Sequence, residues 1–146
     1  MMKRKDMATE VFSRGLTCSQ AVAVAFAEHY GIDPDTILKL SRGFGGGMGG
    51  MGGQCGAVSG AYMVIGMGYD PTDPVTKGKV YEKVQEFTRK FRERHSELNC
   101  NVLLGCDISS AEGKALMKEK NLRETHCACF VKDSVDIAEE VLGLRS

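Results

Sequence analysis

The chain has 146 residues, enough for one domain with a real core. Nineteen Lys and Arg balance nineteen Asp and Glu, which removes the electrostatic footprint of a nucleic-acid or anionic-membrane binder. No apolar run reaches the roughly 20 residues of a membrane span; the longest, 57–67, is interrupted by Ser59, Gly60 and Gly66. The N-terminus, MMKRKDMATEVFSRG, lacks an apolar signal core. The expectation is a complete cytoplasmic chain, with residues 1–146 forming a single domain.

Glycine (18) and methionine (8) are abundant, and six cysteines are present: Cys18, Cys55, Cys100, Cys106, Cys127 and Cys129. Three structural disulfides would be unusual in the cytoplasm. No C-x-x-C occurs, so neither a zinc ribbon nor a thioredoxin-type motif is written locally. Cysteines this far apart act together only if the fold gathers them.

In chain order, residues 4–13 carry Met7, Ala8 and Val11 on one stripe and stop at Gly15, a short helix. Thr17 and Gln20 make a capping-box pattern that opens a helix over 18–30, with Cys18 in its first turn. That helix is apolar almost all round and should be buried. Asp33-Pro34 caps a third helix that ends near Gly43. Eight of the next eleven residues, 43–53, are glycine; the others are Phe44, Met48 and Met51. So many glycines suit neither helix nor strand. A fourth helix starts near Gln54-Cys55 and runs to about Gly68. Gly56 and Gly60, and Ala57 and Ala61, give it a thin face for a second backbone.

Asp73-Pro74 opens the longest helix, 74–95, with Val80, Val84, Phe87 and Phe91 as its buried stripe. Residues 96–105 suggest a helical turn or two, with Cys100 near the start. Ser109 and Glu112 form another capping-box pattern, for a helix to about Lys120, and Asp107 caps the turn before it. The last helix begins around 124–126 and runs to Leu142. No strand signal is convincing. The fold class is all-α, one compact domain of about six or seven helices with a glycine-rich loop.

Four cysteines, Cys18, Cys55, Cys100 and Cys127, fall in the first turn of an expected helix. The free N–H groups and dipole there favour a thiolate, the form that attacks disulfides or binds metals. Gathered together, the four would make a reactive thiol site or a four-sulfur ligand set for zinc or an iron–sulfur cluster. Cysteine also packs as a small hydrophobe, and Cys106 and Cys129 are read that way. His126 is read as an exposed residue at a helix start. The glycine run lacks the Lys-Ser/Thr ending and preceding strand of a phosphate loop. A flexible linker is disfavoured, because Phe44, Met48 and Met51 would sit poorly in water. Gly45, Gly46, Gly47 and Gly49 are instead expected to lay bare backbone against a cofactor or partner.

In order, LTCSQAV, GFGGGMGG, CGAVSGA, CNVLLGCD and CACFV resemble the bacterial and archaeal family named for its C–GCAxxG–C–C pattern, whose members are described as redox-active. The resemblance spans about Gly15 to Leu142; the chain reads Cys-Gly-Ala at Cys55 where the family label spells Gly-Cys-Ala. It implies a redox role. The preferred reading is thiol–disulfide exchange, with Cys18, Cys55, Cys100 and Cys127 converging at one site. Cys55 is expected to attack or to face a metal, because the glycine loop gives a partner access. Cys18 is its expected companion, because both begin buried helices that should pack together. The alternatives are a metal module on the same four thiolates and a sensor accessory to a neighbouring transporter. The expected partners are a thiol, a disulfide or a metal, and a leftover apolar helix face would allow a homodimer.

Overall fold

The computed structural model describes residues 2–145. Among these the chain forms nine α-helices and no strand. They are α1 (Arg4–Ser13), α2 (Cys18–Val24), α3 (Ala27–Tyr30), α4 (Pro34–Ser41), α5 (Gly56–Met67), α6 (Pro74–His95), α7 (Cys100–Leu104), α8 (Ala111–Glu119) and α9 (Ala128–Leu142). A 3-10 turn, Arg42–Phe44, follows α4, and a π turn, Arg123–Cys127, leads into α9. The count exceeds six or seven for two reasons. The segment 96–105 forms a true short helix, and the expected helix 18–30 breaks in two. Phe26, fully buried at φ −104° and ψ 1°, donates its N–H to Ala23 three residues back and ends α2. The segment is apolar on every side, so no shift of a stripe marks that break.

The caps follow the sequence. Thr17 and Gln20 form the reciprocal capping box of α2, and Asp33, Asp73 and Asn99 cap α4, α6 and α7. At α8 the cap is Ser110, accepting from Gly113 N–H at 2.9 Å. The helix starts one residue later than the Ser109–Glu112 pattern implies. Asp107 caps the preceding turn, accepting from the Ser109 N–H and hydroxyl.

Helices α2, α5 and α9 pack on one another at the centre, with α1, α4 and α6 around them. The closest approach is between α2 and α5. A Cβ on Gly60 would lie 2.8 Å from the Ser19 carbonyl oxygen and 3.1 Å from the Val22 Cβ. One on Gly56 would lie 3.1 Å from Ser19 N and 3.2 Å from the Cys18 Cβ. The buried Ser134 hydroxyl of α9 donates to the Ala57 carbonyl at 2.6 Å, tying α9 to the same helix. Phe87 and Phe91 carry α6 onto α9, both with no exposed surface.

The glycine run folds on itself. Residues 46–50 all have positive φ, between 58° and 76°, Met48 included. A left-handed run of that length costs an L-residue roughly 1–2 kcal/mol at each position, which is why glycine dominates it. Wide backbone bonds close it: Gly49 N–H to Gly43 at 2.8 Å, Gly52 N–H to Gly46 at 3.1 Å and Gly53 N–H to Gly47 at 2.6 Å. Phe44 and Met48 are half-buried, but Met51 is 71% exposed, contrary to the expectation that all three avoid water. The run ends in an isolated antiparallel bridge, Gln54 to Asn99. Beside it, Cys55 N–H donates to Leu98 at 2.8 Å and Cys100 N–H to Gly53 at 2.6 Å.

Because a methyl group at position 60 has no room against Ser19, G60A is expected to destabilise the protein by about 1–3 kcal/mol. Chemical denaturation of the two proteins measures it, and G66A, whose Cβ meets nothing within 4 Å, is the control.

Candidate functional site

Cys18, Cys55, Cys100 and Cys127 line one cavity of about 160 Å³. Cys18 is the first residue of α2 and half-buried; Cys100 is the first of α7 and buried. Cys55 is the N-cap residue of α5, at φ −53° and ψ 131°, just outside the helix. Cys127 does not begin a helix. It closes the π turn, where Ala128 N–H donates to the Arg123 carbonyl five residues back. The buried positions show the wider turn: Leu122 to Cys127 is five residues, then Phe130 and Val131 follow at three and four. That extra residue turns the Cys127 sulfur inward.

The backbone of the glycine run forms part of the wall. Gly46 and Gly47 line the cavity. A Cβ on Gly47 would lie 2.7 Å from the Cys100 Cβ and 2.6 Å from Gly53 N. Gly45 packs against the Thr17 side chain instead, and a Cβ on Gly49 would meet only the Gly43 carbonyl, at 3.8 Å. Neither lines the cavity. Cys106 lies outside it, half-buried, its thiol 3.9 Å from the Gly113 carbonyl. Cys129 is exposed, and so is His126, hydrogen-bonded to the Thr125 hydroxyl at 2.8 Å. A larger surface groove of about 660 Å³ between α1 and the end of α9 contains no cysteine.

The remaining walls are largely apolar: Leu103, Leu104, Ile108, Met117 and Phe130. Taking a thiolate out of water into such a space is unfavourable. Burial pushes the Cys55 thiol up to about 11, against the opposing pull of the Ala57 and Val58 amides. It pushes Cys100 up to about 12. The helix N-terminus at Cys55 therefore loses to desolvation, contrary to expectation. Cys18 and Cys127 are set apart by their effect on one another. The neighbouring Cys127 sulfur raises Cys18, with burial adding to the effect. The neighbouring Cys18 lowers Cys127, and the charge of Arg123 lowers it further. Of the four cavity thiols, Cys127 is the one held below its ordinary value.

Arg123 escaped the sequence reading. Its guanidinium lies 3.7 Å from the centre of the Phe12 ring and donates to the carbonyls of Phe12 at 2.5 Å and Leu16 at 2.9 Å. Those contacts fix a positive charge on the cavity wall. The sequence held a signal, a cation one helical turn before Cys127.

Among the described residues, no three of the four cavity sulfurs lie within 4.8 Å of one another. Sulfurs on one zinc, each about 2.3 Å from it, would be no more than about 4.6 Å apart.

The profile of the family described as "Putative redox-active protein (C_GCAxxG_C_C)" matches residues 16–141. The chain belongs to this family. The match includes all six cysteines and the glycine run. No curated protein and no solved structure gives a match.

Cys127 is expected to be the fastest of the four cavity cysteines to react with iodoacetamide at neutral pH, since the thiolate is the nucleophile. In R123Q the midpoint of its alkylation rate against pH should move upward. Peptide-resolved mass spectrometry across a pH series reads both.

Proposed function

We propose that this member of the redox-active family carries out thiol–disulfide exchange in the cytoplasm, with Cys127 attacking and Cys18 resolving. The observation that supports this reading is that Cys18 and Cys127 line one cavity with the fixed Arg123 charge on its wall, where Cys18 and Arg123 together lower the Cys127 thiol. The Cys127 thiolate attacks one sulfur of a substrate disulfide. A mixed disulfide forms, and the other substrate sulfur leaves as a thiolate that takes up a proton. Cys18 then loses its proton and attacks the Cys127 sulfur, forming a Cys18–Cys127 disulfide and releasing the second substrate thiol. The substrate gains two electrons and the protein loses two; an external dithiol returns them. Cys55, first in line by sequence, is held protonated by burial, so the attacking role passes to Cys127. Cys55 and Cys100 then stand behind the pair as neutral thiols. Gly46 and Gly47 add bare backbone to the cavity wall beside Cys100.

The same four thiolates could serve instead as ligands for zinc or an iron–sulfur cluster, and the donor set fits. That use requires the sulfurs to close from their present spacing. Metal bound at the cavity in anaerobically purified protein, and lost in C55S, would replace the exchange reading.

Mild oxidation of the metal-free protein should remove two thiols and yield a Cys18–Cys127 disulfide in a peptide map. With a model disulfide as substrate, C18S should accumulate a mixed disulfide at Cys127, and C127S should form none. An adduct at Cys55 in wild type would return the attacking role to that residue.

A further inference from the structure

The second cluster of metal-ligating side chains lies outside the cavity and is built from residues that the thiol chemistry does not use. His95 is in the last turn of α6, and Cys129 and Asp133 are four apart on α9. Four residues apart on a helix is one face, and α6 packs along that face. One ligand atom from each of the three lies within 4.8 Å of the other two, the one such group among the described residues. His95 Nε2 is 2.8 Å from Asp133 Oδ2, and the Cys129 sulfur is 3.7 Å from the same oxygen.

These spacings can be compared with a coordinated ion. Sulfur at about 2.3 Å and oxygen at about 2.0–2.2 Å from a tetrahedral zinc lie about 3.6 Å apart, and nitrogen and oxygen about 3.4 Å apart. The Cys129–Asp133 distance already has that value. The His95–Asp133 contact must open by about half an ångström from 2.8 Å, a small rotation of a half-buried carboxylate. The imidazole is held in place by Phe91 and Phe130, whose ring centres are 4.8 and 4.9 Å from its own. Arg94 Nη1 lies 3.4 Å from the other Asp133 oxygen, Oδ1, and its stronger partner is Asp136 at 2.8 Å. Arg94 thus orients the carboxylate from behind and leaves Oδ2 facing the cluster.

We propose that His95 Nε2, the Cys129 sulfur and Asp133 Oδ2 form a binding site for a divalent metal ion of borderline softness, zinc above all, joining the end of α6 to α9. Nitrogen, sulfur and carboxylate oxygen in one set match zinc and exclude magnesium and calcium, which require oxygen alone. On binding, the Cys129 proton is released to solvent, the proton by which Nε2 bonds Asp133 passes to Nδ1 or to solvent, and the freed Nε2 lone pair takes the ion. Asp133 and the Cys129 thiolate then balance the charge of the ion. Cys129 is exposed, so a fourth position remains open to water or an added ligand. The site shares no ligand atom with the cavity: Cys127, two residues away, is buried, whereas Cys129 is exposed.

Titrating the reduced full-length protein tests this, with Co²⁺ followed by thiolate-to-metal absorption and Zn²⁺ by calorimetry. Wild type should bind zinc, and C18S/C55S should retain that site. C129S, altered at an exposed position, should lose one equivalent or weaken it at least about tenfold, together with its share of the cobalt–thiolate band. D133N should weaken the same equivalent. Zinc should also raise the melting temperature of wild type and not of C129S. Three results would overturn the proposal: no zinc bound by wild type, C129S binding as wild type does, or a band that survives C129S and disappears in C18S/C55S.

Discussion

The near contact of the α2 and α5 backbones is the constraint on which the rest depends. Gly56 and Gly60 have no Cβ, so α5 seats directly on Ser19 and Val22, and Cys18 comes to lie against the Gly56 α-carbon. Two cysteines from distant parts of the chain thereby share a wall. The glycine run then joins α4 to α5 by a left-handed path. Its last residues pair with the segment before α7, which brings Cys100 in from the far side. α9 is held to α5 through Ser134 and Ala57, and its leading π turn supplies Cys127. The first two attachments bring backbone close to backbone, the third is a serine hydroxyl on a backbone carbonyl, and small residues recur at each.

Once gathered, the four sulfurs do not behave alike, because two opposing effects differ in size at each. Burial raises all of them. At Cys55 the rise from the ordinary 9.0 to about 11 amounts to roughly 3 kcal/mol against the thiolate. Two helix amides do not offset it. At Cys127 a second thiol and a fixed guanidinium do. That second thiol, Cys18, is raised by the same neighbour that it lowers. A cluster of chemically identical residues is thus divided into one lowered thiol and three raised ones. This division comes from position alone.

Much of the architecture was legible in the residues. The caps at Thr17, Asp33 and Asp73 reappear as written, and the Phe87–Phe91 stripe faces the core. The Gly56 and Gly60 spacing announced a close helix contact, and one is there. The misplaced features share a cause. The break at Phe26 and the π turn at 123–127 are each one residue out of regular period, in stretches where neighbouring positions are equally apolar or equally polar. Met51, placed against the core by its hydrophobicity, sits on the outer side of a coil whose path no periodicity describes.

The sequence by itself determined the helical class, the small-residue face, the glycine run and the membership of one family. These are local or compositional properties, set by capping chemistry, backbone freedom and residue type. Tertiary structure alone decided that burial raises Cys55 while Cys18 lowers Cys127, and that His95 meets Cys129 and Asp133 across two helices. Those outcomes depend on desolvation and on distances between residues more than thirty positions apart. Neither quantity exists until the chain has folded around the contact between α2 and α5.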